Sequence, residues 1–462
     1  MPKKKILLLS DDLRMSSGVG TMSREFVMGT IHHYDWVQLG GAIKHPEEGK
    51  VVDMNESVRE ETGVEDANLK IFPINGYGNE ELIRQLMFHE RPDAILHYTD
   101  PRFWQWLYQM EHEIRQNIPI FYYNIWDDLP YPFYNENYYE SCDLIMNISR
   151  QTDNIVRNVC RNKPRTDWDC TYIPHGINEK WFHPIDKSHE DYSNLQKFRN
   201  HIFNNKDYKF VVFWNNRNIR RKLPGDVVMA FKTLCEMVGE ENYKHCALIM
   251  HTSPIDDNGT DLPKLIDHLL PANMGDNIYF SHDKLDNKQM NFMVNIADVT
   301  INIASNEGFG LGTCESLMAG TPIVVNVTGG LQDQCGFKKE DGSYLTVDDY
   351  TDEFQSNHTG RYKDHGEWVK PIWPACRSLQ GSPPTPYIFD DRPKFEEAGE
   401  ALKYWYDMTP EKRKECGLKG MEFVKREDIG MTAEHMSNRF IKDMDTAFDK
   451  WERRKRYAMY KV

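Results

Sequence analysis

The sequence predicts an α/β protein made of two doubly wound halves. Short apolar runs recur along it, each followed by a segment with apolar residues at helical spacing. The pattern lapses at "TYIPHGINEKWFHP" and restarts at "YKFVVFWN". In addition, 462 residues, 40% of them hydrophobic, exceed what one core of ordinary size holds.

In order, "KKILLLS" predicts a buried strand and "SSGVGT" a glycine loop. A helix follows, with Met22, Phe26 and Ile31 on one face. "RPDAILHY", "IPIFYYNIW" and "DLIMNIS" predict further strands, and a helix starts near Arg150. Two prolines and Gly176 mark the connector. The second half opens on the strand "YKFVVFWN" and the helix "PGDVVMAFKTLCEMV", with Val227, Phe231 and Leu234 aligned. "CALIMH", "NIYFS" and "ADVTINIA" are its other strands. Residues 335–392, rich in Gly, Pro and Asp, read as an irregular insertion or long loop. The tail predicts a helix with Met436, Phe440, Met444, Phe448 and Trp451 on one stripe. The expected domains are Rossmann-like: residues 1–185 with a closing helix 432–462, and residues 186–431. No fixed-period repeat is present.

Composition narrows the function. No apolar run reaches the roughly 18 residues a membrane helix needs. "ILLL" after Met1-Pro2-Lys3-Lys4-Lys5 is too short for a signal-peptide core, so the lysines read as a solvated lead into the first strand. Nine cysteines, an odd number without a C-x-x-C, argue against a disulfide framework or structural zinc and for a reducing cytoplasm. The net charge of −15 disfavours non-specific nucleic-acid binding. Residues 1–190 alone hold 20 Lys and Arg against 30 Asp and Glu.

The densest chemistry lies in "SNEGFGLGTCESLMAGTPIVVNVTGGLQDQ", residues 305–334. It sits between a buried strand and a short helix, where parallel α/β sheets bind ligands. Gly308, Gly310 and Gly312 let backbone approach a ligand, and the helix start offers N–H groups to an anion. Glu307 in the loop and Glu315 in the first helical turn can face one ligand. A carboxylate accepts from vicinal hydroxyls, so acids beside a phosphate cradle suit a sugar and a ribose. "NNRNIRRKLPGD" places Arg217 and Lys222 at a neighbouring strand end, where two cations can neutralise a diphosphate. "VTGG" brings a further glycine turn to the same edge. Gly18 and Gly20 of "SGVGT" lie beyond the first strand of the other half.

These motifs resemble the retaining, nucleotide-sugar-dependent glycosyltransferases of the GT-B fold, in particular the family-4 group. That group carries E-G-F-G-L-x-x-x-E, then A-x-G-x-P-V-V and a Gly-Gly turn, which "EGFGLGTCESLMAGTPIVVNVTGG" matches nearly throughout. R-x4-K matches Arg217 and Lys222, and the I-P-N/H-G-V-D linker matches "IPHGIN". The likeness spans roughly residues 5–335 and the closing helix. It implies two Rossmann-like domains facing each other across a cleft, with the last helix crossing back to the first. Arg217 and Lys222 would hold the diphosphate, Glu307 the transferred sugar and Glu315 the ribose. Gly18, Gly20, Gly308, Phe309, Gly310 and Leu311 would line the donor. The donor would be a nucleoside-diphosphate sugar, with UDP-sugar favoured, and no metal is expected. "DWD" at 167–169 lies away from these motifs, and "IDDNGTD" lacks the glutamate of a calcium loop.

One departure stands out. Where the family carries H-D-x-x-P, this chain has "IWDDLPYP", so Trp126 takes the place of the histidine and Asp127 follows. Asp127 and His97 are the acceptor-side candidates. "HYTDPRFWQWLYQ" and "FYYNIWDDLPYPFYNENYY" supply aromatics able to stack on sugar rings or a nucleobase. The opening also resembles glycosyltransferases of large tailed bacteriophages, some of which glycosylate hydroxymethylated DNA bases. The implied acceptors are such a base, a glycan or a small metabolite, in a cytoplasm (the host's, for a phage protein), without membrane insertion. A nucleotide-sugar epimerase, a phosphorylase and a non-catalytic nucleotide-sugar binder are the alternatives.

Overall fold

The apolar runs become the central strands of two parallel sheets, each covered by helices. The computed structural model describes residues 2–42 and 44–455. One compact unit comprises Met1–Gly176, Ser382–Pro386 and Ala433–Val462, and the other Ile177–Gly381 and Tyr387–Thr432.

The first unit holds β1 (Lys4–Asp11), β2 (Tyr34–Ala42), β3 (Val52–Asp53), β4 (Leu69–Asn75), β5 (Ala94–His97), β6 (Ile120–Asn124), β7 (Leu144–Asn147) and β8 (Cys170–Tyr172). Their order is β3-β4-β2-β1-β5-β6-β7-β8. Every pairing is parallel except that of the edge strand β3 with β4. Ile6 to Leu9 of β1 are fully buried, as a strand covered on both faces requires.

The helix Gly18–Thr30 starts at Ser17, whose hydroxyl accepts from the Gly20 amide. Phe26 of that helix stacks on Phe440 of the final helix, Ala433–Lys450, with ring centroids 4.9 Å apart. Gly29 permits the approach, since a Cβ there would run into the Ser437 side chain. Tyr34 donates to Asp445 at 2.8 Å and Phe448 meets Phe121 edge-on, so this helix is fastened to the first unit at several points. It ends at Lys450, earlier than the sequence suggested, and residues 456–462 of the expected closing helix lie outside the described residues.

The second unit holds β9 (Phe210–Asn215), β10 (Cys246–His251), β11 (Ile278–Ser281), β12 (Val299–Asn302), β13 (Ile323–Asn326) and β14 (Val369–Ile372), parallel in the order β11-β10-β9-β12-β13-β14. Trp214, Phe231, Leu234, Val299 and Trp405 lie in its core. This unit begins at Ile177 rather than near residue 185. Ile177 bridges to Thr432, and the Ile185 amide donates to Asn295 at 2.7 Å, so the later half of the connector already packs here.

Residues 335–392 are more ordered than an insertion. β14 closes the sheet edge, and β15 (Cys376–Ser382) with β16 (Thr385–Arg392) forms a two-stranded ribbon. The nine cysteines are free, eight of them buried. Among the described residues no helix is long and apolar enough to cross a membrane.

Candidate active site

From β9 the chain winds one way through β10 to β11, then returns to lay β12 on the other side of β9. The loops after β9 and β12 therefore diverge, opening a crevice at the carboxyl ends of the strands where such sheets take ligands. Arg217 and Lys222 follow β9, Glu307 follows β12, and the Gly329-Gly330 turn follows β13.

One backbone bond and one side-chain bond tie the first two loops together at their bases. The Ser305 amide donates to the Arg221 carbonyl at 2.8 Å, and the Arg221 guanidinium donates to the Asn306 carbonyl at 2.8 Å. Leu223 takes a left-handed φ of 50° and Pro224 starts the next helix, which turns Lys222 inward. Its ammonium forms an ion pair with Glu307; the two side chains are 8% and 13% exposed. Asn302 also donates to the Glu307 carboxylate, at 3.2 Å. Burial alone would raise the Glu307 pKa, but the charges of Lys222 and Arg221 and the hydrogen bonds outweigh it and hold the carboxyl below its ordinary value.

Arg217 differs: its side chain is 65% exposed and pairs with Asp256 at 3.0 Å. The "IDDNGTD" segment acts as a turn that supports this loop, because Asn218 donates to the Ser253, Pro254 and Thr260 carbonyls.

The glycine turns pack against one another. Gly329 has φ 47°, and a Cβ on Gly329 or Gly330 would strike the carbonyl of Glu307 or Gly308. The Gly330 amide donates to the Glu307 carbonyl at 2.9 Å. These glycines thus fix the backbone of the acidic loop. Gly310, with φ 87°, caps the helix Leu311–Met318, which has no side-chain cap. Its first-turn amides are left without intrahelical partners, as at any helix start. Phe309 is buried, and its carbonyl accepts from Gln334 at 2.7 Å.

Because the helix begins at Leu311, Glu315 lies one turn in rather than in the first turn. It is half-buried, and burial with no opposing charge or hydrogen bond pushes its carboxyl up to about 7. The site thus holds two unlike acids. Glu307 is ionised and paired, and Glu315 is unpaired and poised near neutrality.

In the first unit the corresponding switch point lies between β1 and β5. Gly18 is exposed at the helix start, whereas Gly20 is buried, with its amide spent on Ser17. A Cβ on Gly20 would sit 2.5 Å from the Met15 carbonyl, so it is a packing glycine. His97 does not line a surface. It is fully buried, stacked on Tyr122 at 5.1 Å, with Nδ1 2.6 Å from the Tyr108 hydroxyl, and burial lowers its pKa to about 3. Asp127 is half-buried beyond β6, its carbonyl accepting from Gln151 at 2.8 Å. Trp126 is buried and donates to the Asp128 carbonyl. "DWD" stays on the outside, Asp167 pairing with Arg157 at 3.3 Å. Among the described residues, no three His, Cys, Asp or Glu side chains converge as a metal site. Arg221 and Asn302 are the site residues that motif reading missed. Arg221 was visible within the R-R-K run, while Asn302 carried no signal.

Residues 196–350 match the model of the family "Glycosyl transferases group 1", a span holding Arg217, Lys222, Glu307 and Glu315. HepE of Anabaena, solved with UDP and glucose, superimposes with a TM-score of 0.64 at 11% identity, over 96% of this chain and 100% of that one. Sucrose-phosphate synthase of Thermosynechococcus elongatus gives 0.64 at 14% identity, over 97% and 100%. The fold is GT-B. A glycosyltransferase of Rickettsia africae gives 0.61 at 14% identity, over 97% and 100%. No curated protein matches the sequence. The chain therefore joins a glycosyltransferase group 1 segment to the fold of glycosyltransferases of known structure.

Proposed function

We propose that the chain is a retaining glycosyltransferase of the family-4 type, moving a sugar from a nucleoside-diphosphate sugar to an acceptor hydroxyl. The observation that carries this reading is the pairing of two unlike acids with a buried cation at one sheet edge. Lys222 is held by Glu307, and Glu315 stands unpaired one turn into a helix without a side-chain cap.

An arriving diphosphate competes for the Lys222 ammonium, and the exposed Arg217 adds a second cation. As Lys222 turns to phosphate, Glu307 is released to accept hydroxyl hydrogens of the transferred sugar. Glu315 accepts from the ribose hydroxyls. The bond between the anomeric carbon and the diphosphate oxygen breaks while the acceptor oxygen bonds that carbon on the same face. The acceptor's proton leaves with the diphosphate. Cations and helix amides stabilise the departing charge, an electrostatic route that needs no metal. UDP-sugar is the favoured donor, in keeping with HepE of Anabaena, which was solved with UDP-glucose.

The acceptor is either the hydroxymethylated DNA base of a phage-type enzyme working in a host cytoplasm or a glycan or small metabolite, with Asp127 on the acceptor side. Mass spectrometry of nucleosides from hydroxymethylcytosine and hydroxymethyluracil DNA, treated with UDP-, GDP- and ADP-sugars, tests the first. A nucleoside heavier by one sugar is the expected product. Slow nucleoside diphosphate release without that product keeps the transferase and discards this acceptor. An epimerase would return an isomerised donor and a pure binder would return nothing. If neither sugar nucleotides nor nucleoside diphosphates raise the melting temperature, the reading fails, since a ligand at 100 times its Kd adds about 2.7 kcal/mol.

A further inference from the structure

Beyond β5 and β6 the first unit carries two short helices, Gln105–Gln109 and Glu136–Glu140, on the way to the next strands. Between them opens a pocket of about 640 Å³, within the range of small-molecule sites. Tyr108, Tyr134 and Tyr138 supply its aromatic walls, and Gln105, Gln109 and Asn137 supply side-chain amides. Tyr108 and Tyr138 meet edge-to-face with centroids 4.9 Å apart. Tyr108 is fixed from behind by the buried His97, and Tyr138 is hydrogen-bonded to Gln105. The walls are therefore preset, while the amides of Gln109 and Asn137 stand exposed.

We propose that this pocket is a subsite for a neutral sugar chain, so that the acceptor is a glycan; the inference rests on the glycosyltransferase reading. Amides and phenols both donate and accept, which matches hydroxyls lying side by side, and the tyrosine rings offer apolar faces to the C–H face of a pyranose. The charges at the pocket cancel. Glu111 pairs with Arg454 and with Arg115, each at 3.0 Å, and the lining carries two acids, Glu111 and Glu140, against two cations, Lys163 and Arg454. Lys163, Arg115, Arg165 and Arg454 lie near one another, but Arg115 is held by Asp143 and Glu111, Arg165 by Asp169 and Arg454 by Glu111, so the arginines are already paired rather than left for the phosphates of a nucleic-acid strand. One wall of the pocket reaches the acceptor-side candidate. Tyr134 contacts Trp126 edge-on at 5.8 Å, and Trp126 immediately precedes Asp127. The nearby Arg102, which lies over Trp126, has its charge taken up by Asp100.

The test titrates the full-length chain with neutral trisaccharides (maltotriose, cellotriose and chitotriose) and with a hydroxymethylcytosine duplex. Intrinsic fluorescence reports binding, and nucleoside diphosphate release from a UDP-sugar is followed in parallel. At least one trisaccharide is expected to bind. Tyr138→Ala and the surface change Asn137→Ala should each weaken it tenfold or more, Tyr138→Phe much less, with basal release unchanged in all three. The subsite is overturned if no trisaccharide binds, if the variants bind as tightly as the parent, or if the duplex binds and these variants weaken it instead. A parent that binds sugar yet releases no nucleoside diphosphate overturns the transferase reading and leaves the subsite standing.

Discussion

The two sheets obey one winding rule and end in different chemistry. In each, strands are added first on one side of the founding strand and then on the other, which leaves a crevice at its carboxyl end. Around the second unit's crevice stand Arg217, Arg221, Lys222, Glu307 and Glu315, all charged or titratable. Around the first unit's stand the aromatics Tyr77, Phe103 and Trp126, beside Asp11 and the paired Asp100 and Arg102. Tyr77 and Phe103 are stacked at 4.9 Å, and Phe103 is 53% exposed. The first kind of edge holds a charged ligand through a few exchangeable ion pairs. The second sets aromatic surface beside acids, which suits a ligand without phosphate charge. On the proposed function, the charged edge recognises a leaving group, which must be neutralised, and the aromatic edge an acceptor, which must only be placed.

The largest expected effect removes the buried cation. Lys222→Ala should lower kcat/KM for nucleoside diphosphate release by roughly 100- to 1,000-fold, as when one donor to a developing charge is lost. A loss below tenfold in steady-state kinetics would show that Lys222 only anchors Glu307, and the contrast between the edges would collapse.

Next comes stability. Glu307→Ala strands a nearly buried ammonium and should cost about 3 kcal/mol in denaturant unfolding. The double change Lys222→Met with Glu307→Leu should cost much less, because no charge is left alone. Equal costs would mean that the pair is not coupled in solution.

The third effect is a pH dependence. Glu315 has its carboxyl raised to about 7, so the folded chain binds a proton that the unfolded chain has already lost. That contribution is full below the ordinary glutamate pKa, about 4.3, and disappears as pH rises through 7. Donor binding runs the other way, since only the carboxylate accepts from both ribose hydroxyls. KM for the donor should fall about tenfold between pH 6 and 8, and Glu315→Gln should flatten the profile. A profile unchanged by that substitution would remove Glu315 from the donor site.

How much of this was legible depends on how local each feature is. The E-x7-E spacing and Arg217 with Lys222 could be read because one loop and its helix fix each pair. The Lys222–Glu307 ion pair joins residues 85 apart in sequence, and only the β9–β12 neighbourhood creates it. His97 was misread as a cleft residue because its burial is set by Tyr108 and Trp104, which follow β5, and by Tyr122 of β6. Gly329 and Gly330 were legible as a turn, but their backbone contact with the acidic loop was not. β14 was hidden because four residues, "VKPI", leave no period to detect. The aromatic runs showed their composition but not the pocket, whose walls come from two separate segments.

The smallest effect sharpens the comparison from within the charged edge. Arg217 and Lys222 belong to one motif, yet one is 65% exposed and the other 8%. A pair with so exposed a partner as Arg217 adds little stability, because solvent screens it and the side chains lose freedom in making it. Arg217→Ala should therefore leave the melting temperature nearly unchanged while weakening nucleoside diphosphate binding severalfold, most visibly at low salt. Titration calorimetry of UDP at two ionic strengths reads both quantities on one sample. A stability loss as large as that of Glu307→Ala would make Arg217 a structural cation. An unchanged affinity would leave Lys222 and the helix amides to hold the diphosphate, and would place the second cation of the motif outside the site.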